Sequence, residues 1–410
     1  MEQHILIVGG GFAGVGSALR LARKRLPNVK ITIVSDKPHF EYHPALYRLV
    51  TGTSPLEVCI PLREVFKGVP IDVIEDRVVE IDKGQKIVKG ISGSHYKYDY
   101  LLLTLGSETN FFNIPGLEER SFGMKSIKEA LELRRHITEV LKNYSIKTKD
   151  EQMRATHFVV IGAGPTGVEM SANLIEYARK LALKYGIDQH AITVDLIEAA
   201  PRILPQLPEE FTRRIEHHLR GLGVNIFTNR AIEREGIQSV YLKDMELQSM
   251  TVIWTAGVKA NRLYQDWGFP VGERGCVQVD EYFQPKGMEN IFVGGDAAVS
   301  EYWGMAQTAY DHGIYIADVI AAKVNSRLLP KFIPKEPVYA IPVGTEWAGV
   351  LWGKKKFYGI IGWWLRRSAD FISFNLILPP LKALDVFRNG ASISTSCKIC
   401  LEEEKNSGVM

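Results

Sequence analysis

Two stretches of this chain carry the same glycine spacing. "ILIVGGGFAG" sets Gly9, Gly11 and Gly14 after an apolar strand, and "FVVIGAGPTGVEM" sets Gly162, Gly164 and Gly167 after another. In each, the first glycine permits the tight strand-to-helix turn, the second lets backbone approach a pyrophosphate, and the third lets helix and strand pack closely. The helix start that follows supplies amide donors and the positive end of a dipole. One such match is weak, because glycine clusters arise for other reasons. Two, each between an apolar strand and a helical pattern, restrict the chain to an α/β fold with two Rossmann-like dinucleotide-binding units. Two dinucleotides on one polypeptide imply electron traffic between them.

The second unit supplies the acid such a site expects. "AITVDLIEAAPRIL" reads as a buried strand ending at Glu198, placed to bind a ribose 2′-hydroxyl and to repel a 2′-phosphate, although Arg202 nearby weakens that discrimination. The first unit offers Ser35 and then Asp36 in "VKITIVSDKPHF" where one acid is expected.

Further along, "KYDYLLLTLGSETN" reads as a buried strand ending at Leu105 with a turn at Gly106 and Ser107, and "MTVIWTAG" mirrors it with a turn at Gly257. "NIFVGGDAA" is another buried strand, whose end sets Asp296 beside a glycine pair. The paired turns suggest nesting, with residues 1–112 and 251–328 forming the first unit, 113–250 the second, and 329–410 a C-terminal segment. Two units in series is the competing arrangement. The Asp296 strand argues against it, because that strand needs a partner sheet. Helical periodicity covers "SIKEALELRRHITEVLKNY", followed by a charged linker near Lys147 to Glu151. "PEEFTRRIEHHLRGLGVNIF" reads as a helix closed near Gly221 or Gly223, and a long helix runs from about Met305 to Val324.

Composition narrows the class. The 410 residues suffice for two or three domains, and 46% hydrophobic with 24% charged residues describes an ordinary folded chain. A net charge of +3 is too small to argue for a nucleic-acid partner. Four cysteines do not make a disulfide framework, which fits a reducing compartment. The N-terminus enters its first strand at once, so no signal peptide is expected. No apolar run reaches the roughly 18 residues that span a bilayer. Beyond Pro330, bulky apolar clusters alternate with Arg366, Arg367, Lys382 and Arg388, and Trp363 and Trp364 have rings suited to a headgroup boundary. Pro379 and Pro380 limit this stretch to two short helices. A lipid surface is one reading of it; a dimer interface or a cover over the core is the other.

If one cradle holds a flavin and the other a nicotinamide, hydride transfer needs the reacting atoms roughly 3–3.5 Å apart. Asp296 is placed to bind the ribityl chain, and the helix after it would aim its N-terminus at the flavin pyrimidine edge, stabilising negative charge there. Alone, such an aspartate is more often a turn acid. Glu169 is expected in the first turn of a helix, either complementing the dipole or facing the nicotinamide–flavin junction for proton management. Cys59 and Cys276 read as buried small hydrophobes. Cys397 and Cys400 form "CKIC", which cannot complete a four-ligand zinc site alone. The histidines show no metal spacing, so no metal is expected.

The combination resembles the type II NADH dehydrogenases, single-subunit flavin NADH:quinone oxidoreductases, from about residue 3 to 325. The marks are "VVIGAGPTGVEM", "LIEAAPRILPQLP", "WTAGV", "IFVGGDAA" and "IPGLEERSFGMKSIKEAL". The resemblance implies FAD in the first unit, held by Gly9, Gly11, Phe12, Ala13, Gly14, Ser35, Asp36, Val78, Gly106, Gly295, Asp296, Ala306 and Gln307. It implies NADH in the second, held by Gly162, Gly164, Thr166, Gly167, Glu169, Glu198 and Gly257. Glu169 and Gln307 are the expected catalytic residues, with membrane quinone as acceptor and no proton pumping. The family's quinone pattern, Ala-Gln-x-Ala-x-Gln, stands here as "AQTAYD": Ala306, Gln307 and Ala309 match, and Asp311 replaces the second glutamine. The resemblance further implies peripheral attachment to the cytoplasmic side of the cell membrane through the C-terminal segment, and allows a homodimer. A related class, the sulfide:quinone oxidoreductases, shares "VSDKPHFEY" in character but needs cysteines around the flavin, and none lies between Cys59 and Cys276. A flavoprotein that senses NADH and turns over slowly is a third reading, which fast quinone reduction would exclude.

Overall fold

The computed structural model describes residues 2–53, 55 and 58–388; Cys397 and Cys400 lie outside the described residues. Its first parallel sheet has five strands in the order Ile291–Val293, Tyr100–Leu103, Gln3–Val8, Val29–Ser35, Asp72–Glu75. The central strands are apolar along their length because helices cover both faces, and Ile5, Leu6, Ile7, Leu101, Leu102, Leu103 and Phe292 are all buried. The second parallel sheet runs Val224–Phe227, Thr193–Ile197, His157–Ile161, Thr251–Trp254. The chain thus leaves the first sheet after Leu103 and returns to it at Ile291.

The crossing differs in detail from the sequence expectation. Thr251–Trp254 pairs with His157–Ile161 and belongs to the second sheet, so the return begins after Trp254, not at residue 251. The two crossings are zipped together by an antiparallel ribbon, Ser107–Thr109 against Val258–Ala260, with Gly106 and Gly257 at its edges. The charged stretch near Lys147 is no linker: Lys149–Thr156 is a helix closed by a capping box in which Thr148 and Glu151 satisfy each other's backbone donors.

In the first unit, the helix Phe12–Lys24 lies against the long helix Ala306–Val324. Their approach is so close that a Cβ on Gly313 would stand 2.1 Å from the Ala13 carbonyl oxygen. Arg20 and Lys24 pair with Asp318 across the contact at 2.9 and 2.8 Å. The second unit is capped by the C-terminal segment, whose sheet (Tyr339–Pro342, Ala348–Trp352, Lys355–Phe357) packs Gly349 on Phe211 and Ile215. Trp347 stacks on His218 at 4.2 Å.

The segment ends in two helices, Gly359–Ile377 and Pro380–Arg388, broken at the prolines. The first, here the tail helix, has 19 residues and so is longer than the short helix expected. Its polarity is inverted. Ile361, Trp364, Ile372 and Leu376 are exposed, whereas Arg366 and Asp370 are buried at 7% and 1% exposure. Arg366 therefore does not offer its charge to a lipid surface, as its composition suggested: it is paired inward. No described helix is long and apolar enough to cross a membrane.

Candidate active site

The two cradles repeat each other bond for bond. The Gly9 N–H donates to Val34 O and the Gly162 N–H to Ile197 O, both at 2.8 Å. The Thr104 hydroxyl donates to Val8 O and Gly9 O at 3.0 and 3.2 Å; Thr255 does the same to Ile161 O and Gly162 O at 2.8 and 2.9 Å. Gly9 and Gly162 take φ of +114° and +99°, which a side chain would strain. A Cβ on Gly14 or Gly167 would collide with the Gly9 or Gly162 carbonyl at 1.9 and 1.8 Å. The middle glycines differ from these: a Cβ on Gly11 or Gly164 would meet nothing within 4 Å and would project into open space. Each begins a helix without a side-chain cap, leaving backbone N–H groups for an anion. Both cradles fit a pyrophosphate.

The shared register settles which residue corresponds to Glu198. Val34 and Ile197 accept the equivalent glycine N–H, so the counterpart is Ser35 and not Asp36. The Glu198 carboxylate accepts the N–H of Ala163 (2.7 Å) and of Ala200 (2.8 Å), bracing the cradle. Ser35 is buried under Gly10, whose Cβ would stand 2.7 Å from its hydroxyl, and Asp36 is exposed one residue beyond. The Asp76 N–H donates to Ser35 O, which puts Val78, buried at the start of its strand, on the same rim.

Asp296 is brought to the first cradle: a Cβ on the neighbouring Gly295 would stand 3.3 Å from that of Ala13. Its carboxylate accepts the Ser107 hydroxyl at 2.7 Å and lies 3.9 Å from the Lys125 ammonium. Both residues lie in stretches singled out in the sequence, but only the fold shows that Ser107 and Lys125 meet Asp296. Phe12 packs edge-on against Phe40 at 4.8 Å. Nearby, Glu41 is buried; burial alone would raise its carboxyl, but hydrogen bonds from His39 and His43 and the Lys37 ammonium hold it well below the usual range.

The Ala306–Val324 helix starts beside this turn, with Ala309 near Gly295. Gln307 does not project a free amide from it. The amide accepts the Val338 N–H at 3.1 Å and donates to Val338 O at 3.4 Å, tying down a strap that runs back along the helix. Lys335 of the strap pairs with Asp311 at 3.5 Å. A backbone N–H and C=O at fixed spacing match a primary amide on both sides, and that match orients Gln307 toward the strap.

Glu169 is the fifth residue of the helix Pro165–Lys184, not in its first turn, so it does not serve as a dipole-capping acid. Thr166 lies exposed at that helix start, and Gly257 sits under the Phe112 ring, 2.5 Å from where its Cβ would be. The charges that act on Glu169 are those of Arg366 and Asp370 on the tail helix and of Arg48 on the short helix Leu46–Val50, which packs against the Glu169 helix. Glu169 is half-buried; desolvation pushes its carboxyl up to about 8, Arg366 and Arg48 pull it down, and Asp370 adds to the rise. Desolvation thus favours the protonated acid, and the Arg366 and Arg48 charges favour its conjugate base.

The two described cysteines, Cys59 and Cys276, are not bonded to each other. Cys276 is a buried free thiol whose sulfur lies 3.7 Å from the Asp296 carbonyl, and burial raises its pKa. Cys59 is buried but disulfide-bonded, so it is not the idle hydrophobe its isolation suggested.

The pyridine nucleotide-disulphide oxidoreductase family model matches residues 3–313. The type II NADH:quinone oxidoreductase Ndh of Mycobacterium tuberculosis is 34% identical over 343 residues, covering 79% of this chain and 73% of that protein. The Staphylococcus haemolyticus type II NADH:quinone oxidoreductase is 30% identical over 346 residues, covering 81% and 85%. In fold, the chain matches NDH2 from Plasmodium falciparum in complex with NADH at a TM-score of 0.86, over 97% of this chain and 99% of that one, with 18% identity. It also matches the sulfide:quinone oxidoreductase from Aquifex aeolicus at 0.77, over 98% and 95%, with 21% identity. With two like cradles on nested sheets and relatives that agree over most of its length, the chain belongs to the pyridine nucleotide-disulphide oxidoreductase family, among its type II NADH:quinone oxidoreductases.

Proposed function

We propose that the first cradle keeps FAD, that the second admits NADH reversibly, and that electrons leave to a membrane quinone. The observation that carries this reading is the pair of cradles in one register, each with an open middle glycine, with the Glu169 acid set beyond the second. Ser35, Val78, Gly106, Gly295 and Asp296 rim the FAD site, with Ser107 fixing the Asp296 carboxylate. Thr166, Glu198 and Gly257 rim the NADH site. The FAD unit ends, and resumes, at the Ser107–Thr109 and Val258–Ala260 ribbon. The chemistry that FAD supplies when bound is hydride acceptance from NADH and two-electron delivery to quinone.

The protein's part is placement and charge. The Ala306–Val324 helix directs its positive end at the Asp296 turn and stabilises negative charge there. Gln307 and Asp311 border the acceptor's approach by fixing the strap at Val338 and Lys335. Glu169 holds a proton that quinone requires on reduction.

The outer face of the tail helix (Ile361, Trp364, Ile372, Leu376), with Ile360, Trp352 and Leu381, forms an apolar surface beside Lys354 and Lys355. That combination fits the anionic, cytoplasmic leaflet. Trp364→Asp should lower binding to anionic vesicles; unchanged vesicle binding with a lower oligomeric state would make this face a dimer interface instead.

The test of the whole reading is spectroscopic. Anaerobic NADH should bleach the flavin absorbance of the purified protein, and a soluble quinone should restore it. Bleaching by sulfide but not by NADH would overturn the assignment.

A further inference from the structure

Lys125 stands at the wrong end of a helix. It immediately precedes Ser126, the cap of the helix Ile127–Lys142, where the positive end of the dipole disfavours a cation. Two acids serve that helix start: the Glu129 carboxylate accepts the Lys125 N–H at 2.5 Å, and Glu41, 7% exposed, accepts the Ile127 N–H at 3.4 Å. His43 Nε2 donates to the Lys125 carbonyl oxygen at 3.1 Å, so contacts to its backbone fix the residue from both sides. The helix bridges the two units. It packs against Leu46–Val50 of the first. Its His136 Nε2 donates to Met250 O at 2.9 Å and lies 3.0 Å from the Thr251 hydroxyl, where a strand of the second sheet begins.

From there the side chain reaches the first cradle. Its ammonium lies 3.9 Å from Asp296 Oδ2, with side-chain exposures of 29% and 20%. An ion pair that long and that open to water contributes little to stability, and the same oxygen already accepts the Ser107 hydroxyl at 2.7 Å. Arg274, another cation close to this turn, lies over the Trp303 ring, whose N–H donates to Asp296 O at 2.8 Å. Stability and helix capping therefore leave the Lys125 charge without a use.

We propose that Lys125 is a positioning residue of the flavin site: its ammonium offsets the Asp296 carboxylate and raises the reduction potential of the bound flavin. The inference rests on the reading of the first cradle as the FAD site. Hydride transfer from NADH adds two electrons and one proton there, hence one net negative charge, and leaves NAD⁺. A carboxylate that holds the ribityl chain opposes the added charge, and a cation set beside it cancels much of that opposition. The helix Ala306–Val324 points its positive end at the same turn. Lys125 supplies the same sign from the entry to the second unit, so the potential depends on both units being in place.

The test reads the flavin potential of the holoenzyme by anaerobic redox titration, independently of turnover. Lys125→Gln should lower the ratio of reduced to oxidised flavin at a fixed solution potential about tenfold, ~30 mV for a two-electron couple. Asp296→Asn should shift it the other way, and the double variant should return close to the unmodified protein. Lys125→Arg keeps the charge and should keep the potential. Where a variant sheds its flavin, the same quantity is the ratio of its affinities for oxidised and reduced FAD, measured on the apoprotein. An unchanged or raised potential in Lys125→Gln, or an equal fall in Lys125→Arg, would overturn the inference and leave the flavin assignment standing. Folded Gly11→Val protein that keeps its flavin would remove that assignment itself.

Discussion

The two cradles differ least where they hold phosphate and most where they meet ribose. Turn angle, threonine clamp, colliding third glycine and open second glycine recur in both. At the ribose edge, Glu198 braces the second cradle through two N–H groups, while the equivalent Ser35 is buried and braces nothing comparable. A pyrophosphate imposes one geometry on any backbone that binds it, so that part cannot diverge. The ribose edge is set by side chains and can follow the need of each site, which on the proposed function is to retain FAD in the first cradle and to exchange NADH in the second.

The largest expected effects come from blocking each cradle separately. Gly11→Val should yield folded protein that purifies without flavin colour, because the added side chain enters the open space of the first cradle. Gly164→Val should keep the flavin and lose NADH reduction, with the affinity for NADH down on the order of a hundredfold, about 2.7 kcal/mol. Flavin loss from Gly164→Val with retention in Gly11→Val would exchange the two assignments.

Glu198→Ala comes next. Two charge-assisted hydrogen bonds are lost, each worth roughly 1.5–3 kcal/mol, and the negative charge near the ribose 2′ position goes with them. NADH reduction at low concentration should fall about tenfold or more, and the ratio of NADH to NADPH use should shrink. A ratio that holds steady would mean that selectivity resides elsewhere on the rim. Gln307→Leu is milder: releasing the strap from one amide should slow quinone reduction by about fivefold, near 1 kcal/mol, and leave reduction by NADH unchanged. A slowed NADH step instead would move Gln307 to the donor side.

Much of this was legible in the sequence, for identifiable reasons. The cradles are local motifs, and local geometry follows local spacing. Asp296 was legible from its glycine pair. Sheet membership was less so: Thr251–Trp254 is apolar enough for either sheet, and only non-local pairing with His157–Ile161 decides. Ser107 and Lys125 meet Asp296 from distant parts of the chain, so no spacing announces them. The tail helix misled for a different reason. Its period separates the Arg366 and Asp370 stripe from the Ile361, Trp364, Ile372 stripe, but a period does not say which stripe faces in. Of the basic residues read as facing lipid, Arg366 is turned inward. An i,i+4 Arg–Asp pair inside an otherwise apolar helix was the available signal.

The smallest effect tests the register itself. Asp36 is exposed and one residue past the position equivalent to Glu198, so Asp36→Asn should change flavin retention on dilution by less than about twofold, within the roughly 0.5 kcal/mol typical of surface changes. Ser35 is different in kind, since its hydroxyl lies beneath Gly10 and accepts the Lys37 N–H at 3.3 Å. Ser35→Ala removes a single long hydrogen bond and should weaken retention a few-fold, about 0.5–1 kcal/mol. The pair is measured together by following release of flavin fluorescence on dilution. If Asp36→Asn sheds flavin while Ser35→Ala holds it, the acid beyond the strand reaches the ribose after all. The two cradles would then be one residue out of step at that edge.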